Sequence, residues 1–255
     1  MMSKPTILIT NDDGIEADGL LVLAHAMKEV GQVFVVAPRT EQSAVSYMVT
    51  IRDPLRFFNW DLGEGITACA LTGTPADCIK FGVGTWLGRK PDLVVSGINQ
   101  GPNTAVNLLH SGTVGGAIEG CVEGIPSVAF SLDSFDKHAD YTTAGKVAQK
   151  VAHQVLNLGL PDGIMLNVNI PYMPEKDLKG FRIARQARSR WDEAFTERKD
   201  PIGRPYYWLA GYHINLDQGP DTDLAVVEAG YVSVTPLQLD RTDYAFARTM
   251  QEWTW

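Results

Sequence analysis

Two carboxylates stand side by side where an apolar run stops: in ILITNDDGIEADGL, residues 7–20, Asp12 and Asp13 follow four aliphatic or β-branched positions and precede Gly14. Two unit negative charges ~4 Å apart repel by about 4 kcal/mol at an effective dielectric of ~20, so the pair must share a proton, turn apart or hold a cation. Oxygen-bearing groups follow the other apolar runs as well. VFVVAP (33–38) leads into RTEQSAVS with Ser43, TACALT (67–72) into GTPAD, and LVVSG (93–97) into INQGPN with Asn99 and Asn103. Mg²⁺ and Mn²⁺ take oxygen ligands, keep several waters and need only one or two protein carboxylates. Asp12, Asp13, the Ser43 hydroxyl and the Asn99 amide oxygen would make such a site. The competing reading is that Asp12 N-caps the next helix while Asp13 is solvated.

A second stretch, HSGTVGGAIEG (110–120), places Ser111, Gly112 and Thr113 at the start of a predicted helix. Free backbone N–H groups and the positive dipole end favour an anion such as phosphate there. An ordinary Ser/Thr cap with small residues for tight helix packing accounts for the same letters. His110, beside this turn, is a candidate acid/base group. The histidines at 25, 110, 138, 153 and 213 show no HExxH or HxH spacing, which gives zinc little support. No P-loop, no G-x-G-x-x-G after a strand and no G-x-S-x-G elbow is present.

Elements able to position these groups alternate along the first two thirds of the chain. TILIT (6–10) precedes an amphipathic stretch at 17–31, whose Leu20, Leu21, Leu23, Ala24 and Met27 share a helical face and whose Gly31 reads as a C-cap. Strand then helix recurs as TACALT with a helix over 74–86, LVVSG with 112–124, and SVAFSL (127–132) with a helix around 140–158; GIMLNVNIP (163–171) adds a strand. Strands apolar on both faces and alternating with helices predict an α/β fold, a mostly parallel, Rossmann-like sheet sandwiched by helices. In such a sheet the loops after the strands emerge at one edge, where ligands bind. Between 46 and 60 the period changes to two, which reads as a β-excursion off the sheet. Beyond about 180 the alternation breaks down.

Residues 179–204 carry eight basic side chains against four acidic ones, net +4, with Trp191 and Phe195 among them and Tyr206, Tyr207 and Trp208 directly after. They read as a long hairpin, either solvated or used in an oligomer contact, or as an approach surface for phosphates. The whole chain, 255 residues and 45% hydrophobic, carries a net charge of −8, which disfavours a surface built for nucleic acid. Cys69, Cys78 and Cys121 lie in apolar runs without CxxC spacing and read as buried free thiols. The five-residue apolar run in MMSKPTILITNDD is too short for a signal peptide and nothing later approaches a membrane span, so a cytoplasmic protein without membrane partners is expected.

In order, NDDGI, VVAPRTEQSA, TGTPADC, VVSGINQGPN, SGTVGGAIEG, LNVNIP and YVSVTPLQLD, spread over roughly residues 7–240, resemble the SurE (survival protein E) metal-dependent nucleotidases. The resemblance implies a catalytic core over 1–180 and a C-terminal hairpin and helix extension, 181–255, packing on it and exchanged in a homodimer or homotetramer. It implies a phosphatase of nucleoside 5′- and 3′-monophosphates, and of short polyphosphate, using one divalent ion (Mg²⁺ or Mn²⁺), with no stable nucleic-acid partner. The family's metal ligands match Asp12, Asp13, Ser43 and Asn99, and its phosphate turn matches Ser111, Gly112 and Thr113. Asn99 is expected to touch phosphate too, and Asp12 or Asp13 to serve as base. The chain departs from the family at His110, where Tyr is common, and at Ala105, Val106 and Asn107, where a glycine and acidic residues are common; these positions bear on substrate preference and rate. The alternatives are a nucleotide- or phosphate-binding oligomeric protein without catalysis, and a scaffold contacting RNA through the basic hairpin.

Overall fold

The computed structural model describes residues 4–63 and 65–255; Met1, Met2 and Ser3, the head of the stretch read above for a leader, lie outside the described residues, as does Glu64. The first apolar run is β1 (Thr6–Thr10), buried throughout. Alternate side chains of a strand serve opposite faces. Ile7 and Ile9 therefore pack with α1 (Asp18–Lys28) and α4 (Thr142–Leu158), while Leu8 packs with Cys78 and Ile79 of α2 (Pro75–Phe81). Burial on both faces is why the run is continuous rather than alternating.

The other strands of this sheet are β2 (Gln32–Pro38), β3 (Phe57–Asp61), β4 (Thr67–Leu71), β5 (Leu93–Gln100), β6 (Ser127–Asp133), β7 (Ile164–Pro171), β8 (Phe181–Ile183) and β11 (Val232–Gln238). Their order is β3-β4-β2-β1-β5-β6-β7-β11-β8. The run from β4 to β7 is parallel, as the alternation predicts. The chain winds outward from β1 through β2 to β4, then crosses back to β5 on the other side of β1. That reversal opens a crevice beyond the ends of β1 and β5, the place where open α/β sheets bind ligands.

One face is covered by α1 and α4, the other by α2 and α3 (Gly112–Val122). Glycines bring α3 close to the sheet: a Cβ on Gly116 would meet Thr10 Cγ2 at 2.7 Å, and one on Gly120 would meet Ser127 Oγ at 2.4 Å. The helix start is thereby set down against the mouths of β1 and β5. The tight-packing reading of GTVGGAIEG holds.

Several expectations are corrected. Helix α1 ends at Lys28, capped by Glu29, and Gly31 is not its cap: a Cβ there would lie 2.3 Å from Pro5 O, so Gly31 serves a close backbone approach. The predicted helix over 74–86 is α2 followed by a π turn (Gly82–Trp86). Within 46–60 only β3 is a strand, and it pairs antiparallel with β4 at the sheet edge instead of leaving the sheet. After residue 180 the strand–helix alternation does break down, as expected, and the hairpin forms. β8 is followed by β9 (Ser189–Lys199) and β10 (Pro205–Asn215), paired along their full lengths as a separate hairpin. Then come α5 (Asp223–Glu228), β11, which is antiparallel to β7 and parallel to β8, and α6 (Tyr244–Met250). Among the described residues no helix is long and apolar enough to cross a membrane, and the three cysteines are free and buried.

Candidate active site

Beyond β1 the chain turns through Asn11, whose Nδ2 donates to Gly14 O at 2.9 Å, with Gly14 at φ 104° where a side chain would be strained. The turn sends Asp12 inward. Asp12 is 4% exposed, and its Oδ1 accepts from the Thr113 hydroxyl. Burial raises its pKa above the ordinary range, opposed by hydrogen bonds from the hydroxyl and amide of Thr113 and the amide of Gly112. Helix α1 is capped by Ala17 without a side-chain bond, so Asp12 does not cap the helix that follows it. It faces the start of α3.

Asp13 stays at the cavity edge, accepting from Gln100 N at 3.3 Å. Burial first, then the neighbouring Asp12 charge, push its carboxyl up to about 7. Asn99 reaches the same place because the pairing of β5 with β6 shifts register between Ser96 and Asn99, and such a bulge re-aims a side chain. Its Nδ2 donates to Gly101 O at 2.7 Å, which leaves Oδ1 on the side of Thr113 Oγ1, 3.3 Å away. The second Nδ2 hydrogen makes only a 3.3 Å contact to Gln100 O, so Nδ2 can turn that hydrogen to a phosphoryl oxygen while keeping its bond to Gly101.

Ser43 arrives on the segment after β2. Gln42 N donates to Asp12 O at 2.7 Å and Ser46 N to His110 O at 2.9 Å, closing the segment over the site. The Ser43 hydroxyl donates to Glu41 Oε1 at 2.6 Å, keeping its lone pairs open. Ser111 caps α3 by accepting from Val114 N at 3.1 Å, and its own hydrogen remains for an acceptor in the cavity. His110 is exposed at the rim.

Asp12, Asp13, Ser43, Asn99, His110 and Ser111 line one cavity of about 660 Å³. Gly112 and Thr113 stand behind Asp12 instead; a Cβ on Gly112 would lie 2.8 Å from Asp12 Cβ. GTPAD does not reach the cavity: Thr74 and Asp77 form a capping box on α2. Sequence reasoning missed the outer wall, built by Trp191, Glu193 and Leu209 of the hairpin with Phe135 opposite the acidic floor. Trp191 Nε1 donates to Asn107 Oδ1 at 2.8 Å, and Val106 N donates to Ser189 Oγ at 3.1 Å, seating the hairpin. The interleaved aromatics were the available signal.

Part of the basic stretch is engaged within the chain. Arg185 pairs with Asp217 and Asp221, Arg204 with Asp200, and Arg182 lies over the Tyr231 ring. Among the described residues no Lys or Arg lines the cavity, whose acidic groups are the carboxyls of Asp12, Asp13 and Glu193.

Residues 7–193, which carry Asp12, Asp13, Ser43, Asn99, His110, Ser111 and Trp191, match the family model described as Survival protein SurE. The chain belongs to the SurE family. It is 45% identical over 253 residues to the 5′-nucleotidase SurE of Flavobacterium psychrophilum, covering 99% of this chain and 98% of that protein. It is 47% identical over 250 residues to the 5′-nucleotidase SurE of Chlorobium luteolum, covering 98% and 96%. The crystal structure of the SurE protein from Aquifex aeolicus superposes with a TM-score of 0.84 at 40% identity, covering 97% of this chain and 98% of that one. The SurE likeness thus spans both the sheet and the hairpin side of the cavity.

Proposed function

We propose that this SurE-family protein is a divalent-metal-dependent phosphatase of nucleoside 5′- and 3′-monophosphates, and of short polyphosphate, with one Mg²⁺ or Mn²⁺ held by Asp12, Asp13, Ser43 and Asn99. Relatives matched over nearly their full length are named 5′-nucleotidases, and this chain is accordingly a phosphoric monoester hydrolase. The metal reading is carried by one observation: the cavity floor is acidic, with no Lys or Arg among the described residues to receive a phosphate. A dianion enters such a floor only with a cation present. The donors fit a hard dication, being two carboxylates, an amide oxygen and a hydroxyl with open lone pairs.

When bound, the ion would act as a Lewis acid on the phosphoryl group. The protein's own groups then have separate tasks. Ser111 donates its hydroxyl hydrogen to a phosphoryl oxygen, and the start of α3, turned toward the same spot by Gly112 and Thr113, adds its positive dipole end. Thr113 and the two amides hold Asp12 still. Asp13, whose oxygens are less engaged than those of Asp12, takes the proton from the attacking water, and His110 at the rim is a candidate donor to the leaving oxygen. Trp191, Leu209 and Phe135 offer apolar surface to the nucleoside.

A cytoplasmic location, supported by three unpaired thiols, and a homodimer or homotetramer built through the C-terminal elements, supported by their exposed aromatics, belong to the same proposal. The test is phosphate release by purified protein from 5′- and 3′-nucleotides, p-nitrophenyl phosphate and tripolyphosphate, with Mg²⁺, Mn²⁺ or EDTA. Turnover of nucleotides lost in EDTA and restored by Mn²⁺ is expected. Nucleotide binding without turnover under any metal would replace the enzyme with a binding protein.

A further inference from the structure

The segment that carries Ser43 is tied down at a place remote from the cavity. Glu119 of α3 is fully buried. Its carboxylate accepts from the Tyr47 hydroxyl at 2.5 Å and from the Lys80 ammonium of α2 at 2.6 Å. Tyr47 lies four residues beyond Ser43. Nearby, Thr50 donates to Asp77 through its amide at 3.0 Å and its hydroxyl at 2.6 Å, and Thr74 donates to Met48 O at 2.6 Å. The segment also rests directly on α3: a Cβ on Gly115 would lie 2.5 Å from Ser46 O.

Between the Ser43 end and this anchorage the backbone is held in an unfavoured shape. Ala44 and Ser46 have φ of 57° and 56°, a left-handed conformation that such residues keep only when their surroundings over-determine it. A buried carboxylate is costly unless paired, and its bonds to a phenol and an ammonium are of the short, charge-assisted kind. Apolar side chains and glycines pack α2 and α3 on the sheet, and the buried carboxylate ties both helices to the segment that carries Ser43. The carboxylate and the strain both bear on where Ser43 stands.

We propose that Glu119, through Tyr47 and with its charge balanced by Lys80, is a positioning residue that fixes Ser43 at the cavity and so sets the affinity of the cation site. This rests on the assignment of Ser43 as a ligand above. Because α3 presents Thr113 to Asp12 at its start and Glu119 to Tyr47 two turns later, the same helix aligns both sides of the donor set.

Tyr47→Phe removes one hydroxyl and keeps the ring, so it tests the bond even if Glu119→Gln fails to fold. Mn²⁺ affinity by isothermal titration calorimetry is expected to weaken about 10-fold or more in Tyr47→Phe, in the range seen for groups that orient metal ligands. kcat at saturating Mn²⁺ is expected to stay within about twofold, while proteolytic cleavage within 39–50 increases. Unchanged Mn²⁺ affinity in Tyr47→Phe, with or without a fall in Tm, overturns the proposal and leaves a purely structural bond. If the unsubstituted protein itself binds no Mn²⁺, the metal assignment fails and this inference falls with it; the two failures are thereby distinct.

Discussion

Asp13 holds a charge that the cation-free protein cannot easily keep. Its folded pKa of about 7 lies above the ordinary 3.8 because burial and Asp12 disfavour the ionised form. Between those two values the folded chain binds more protons than the unfolded one, so stability is expected to fall as pH rises from about 4 through 7. Thermal melts in EDTA across that window check this, and Asp13→Asn should flatten the slope, as should excess Mn²⁺. A slope identical in Asp13→Asn would mean that the charge is already compensated within the protein. Asp12→Asn is expected to lower kcat/KM at least about a hundredfold, the scale of losing a group that organises transition-state charge, with an unchanged circular dichroism spectrum. Gly112→Ala, forcing a Cβ against Asp12 at 2.8 Å, should cost about 1–3 kcal/mol in urea unfolding. Asp12, Asp13, Asn99 and Ser111 were readable because each sits at the end of an apolar run or the start of a helix, where local pattern fixes position. The direction of the Asn99 amide was not, since it depends on Gly101 O and a bulge in β5.

At the scale of elements, the hairpin is both wall and appendage. Trp191→Ala removes the bond to Asn107 and part of the wall, and KM for a nucleotide is expected to rise about fivefold, equivalent to about 1 kcal/mol, with kcat little changed. A fall in kcat with constant KM would place Trp191 in the chemistry instead. The hairpin's role escaped sequence reading because Trp191 and Asn107 are 84 positions apart, and nothing local encodes their meeting. β11 escaped for another reason. Pro236 interrupts YVSVTPLQLD and argues against a ladder strand, yet β8 accompanies β11 only from Val232 to Val234. Pro236 falls beyond that point, where one side of β11 is already an edge. By contrast β1, β2, β5 and β6, buried on both faces, announced themselves as unbroken apolar runs.

Considered whole, the molecule exposes 14089 Å², against about 11,000 Å² expected for a compact monomer of its mass. The excess accords with the projecting hairpin, where Tyr206 and Trp208 stand exposed with ring centroids 6.5 Å apart. Light scattering after size exclusion is expected to give the mass of two or four chains, and Tyr206→Ser with Trp208→Ser to reduce it; a monomer at micromolar concentration would refute the exchange of C-terminal elements. The pairing of β11 with β7 constrains synthesis as well as assembly. A ribosome must release the chain past Gln238 before the inner seam of the sheet can close, so a nascent chain halted earlier carries β7 as an open edge able to recruit a strand from another polypeptide.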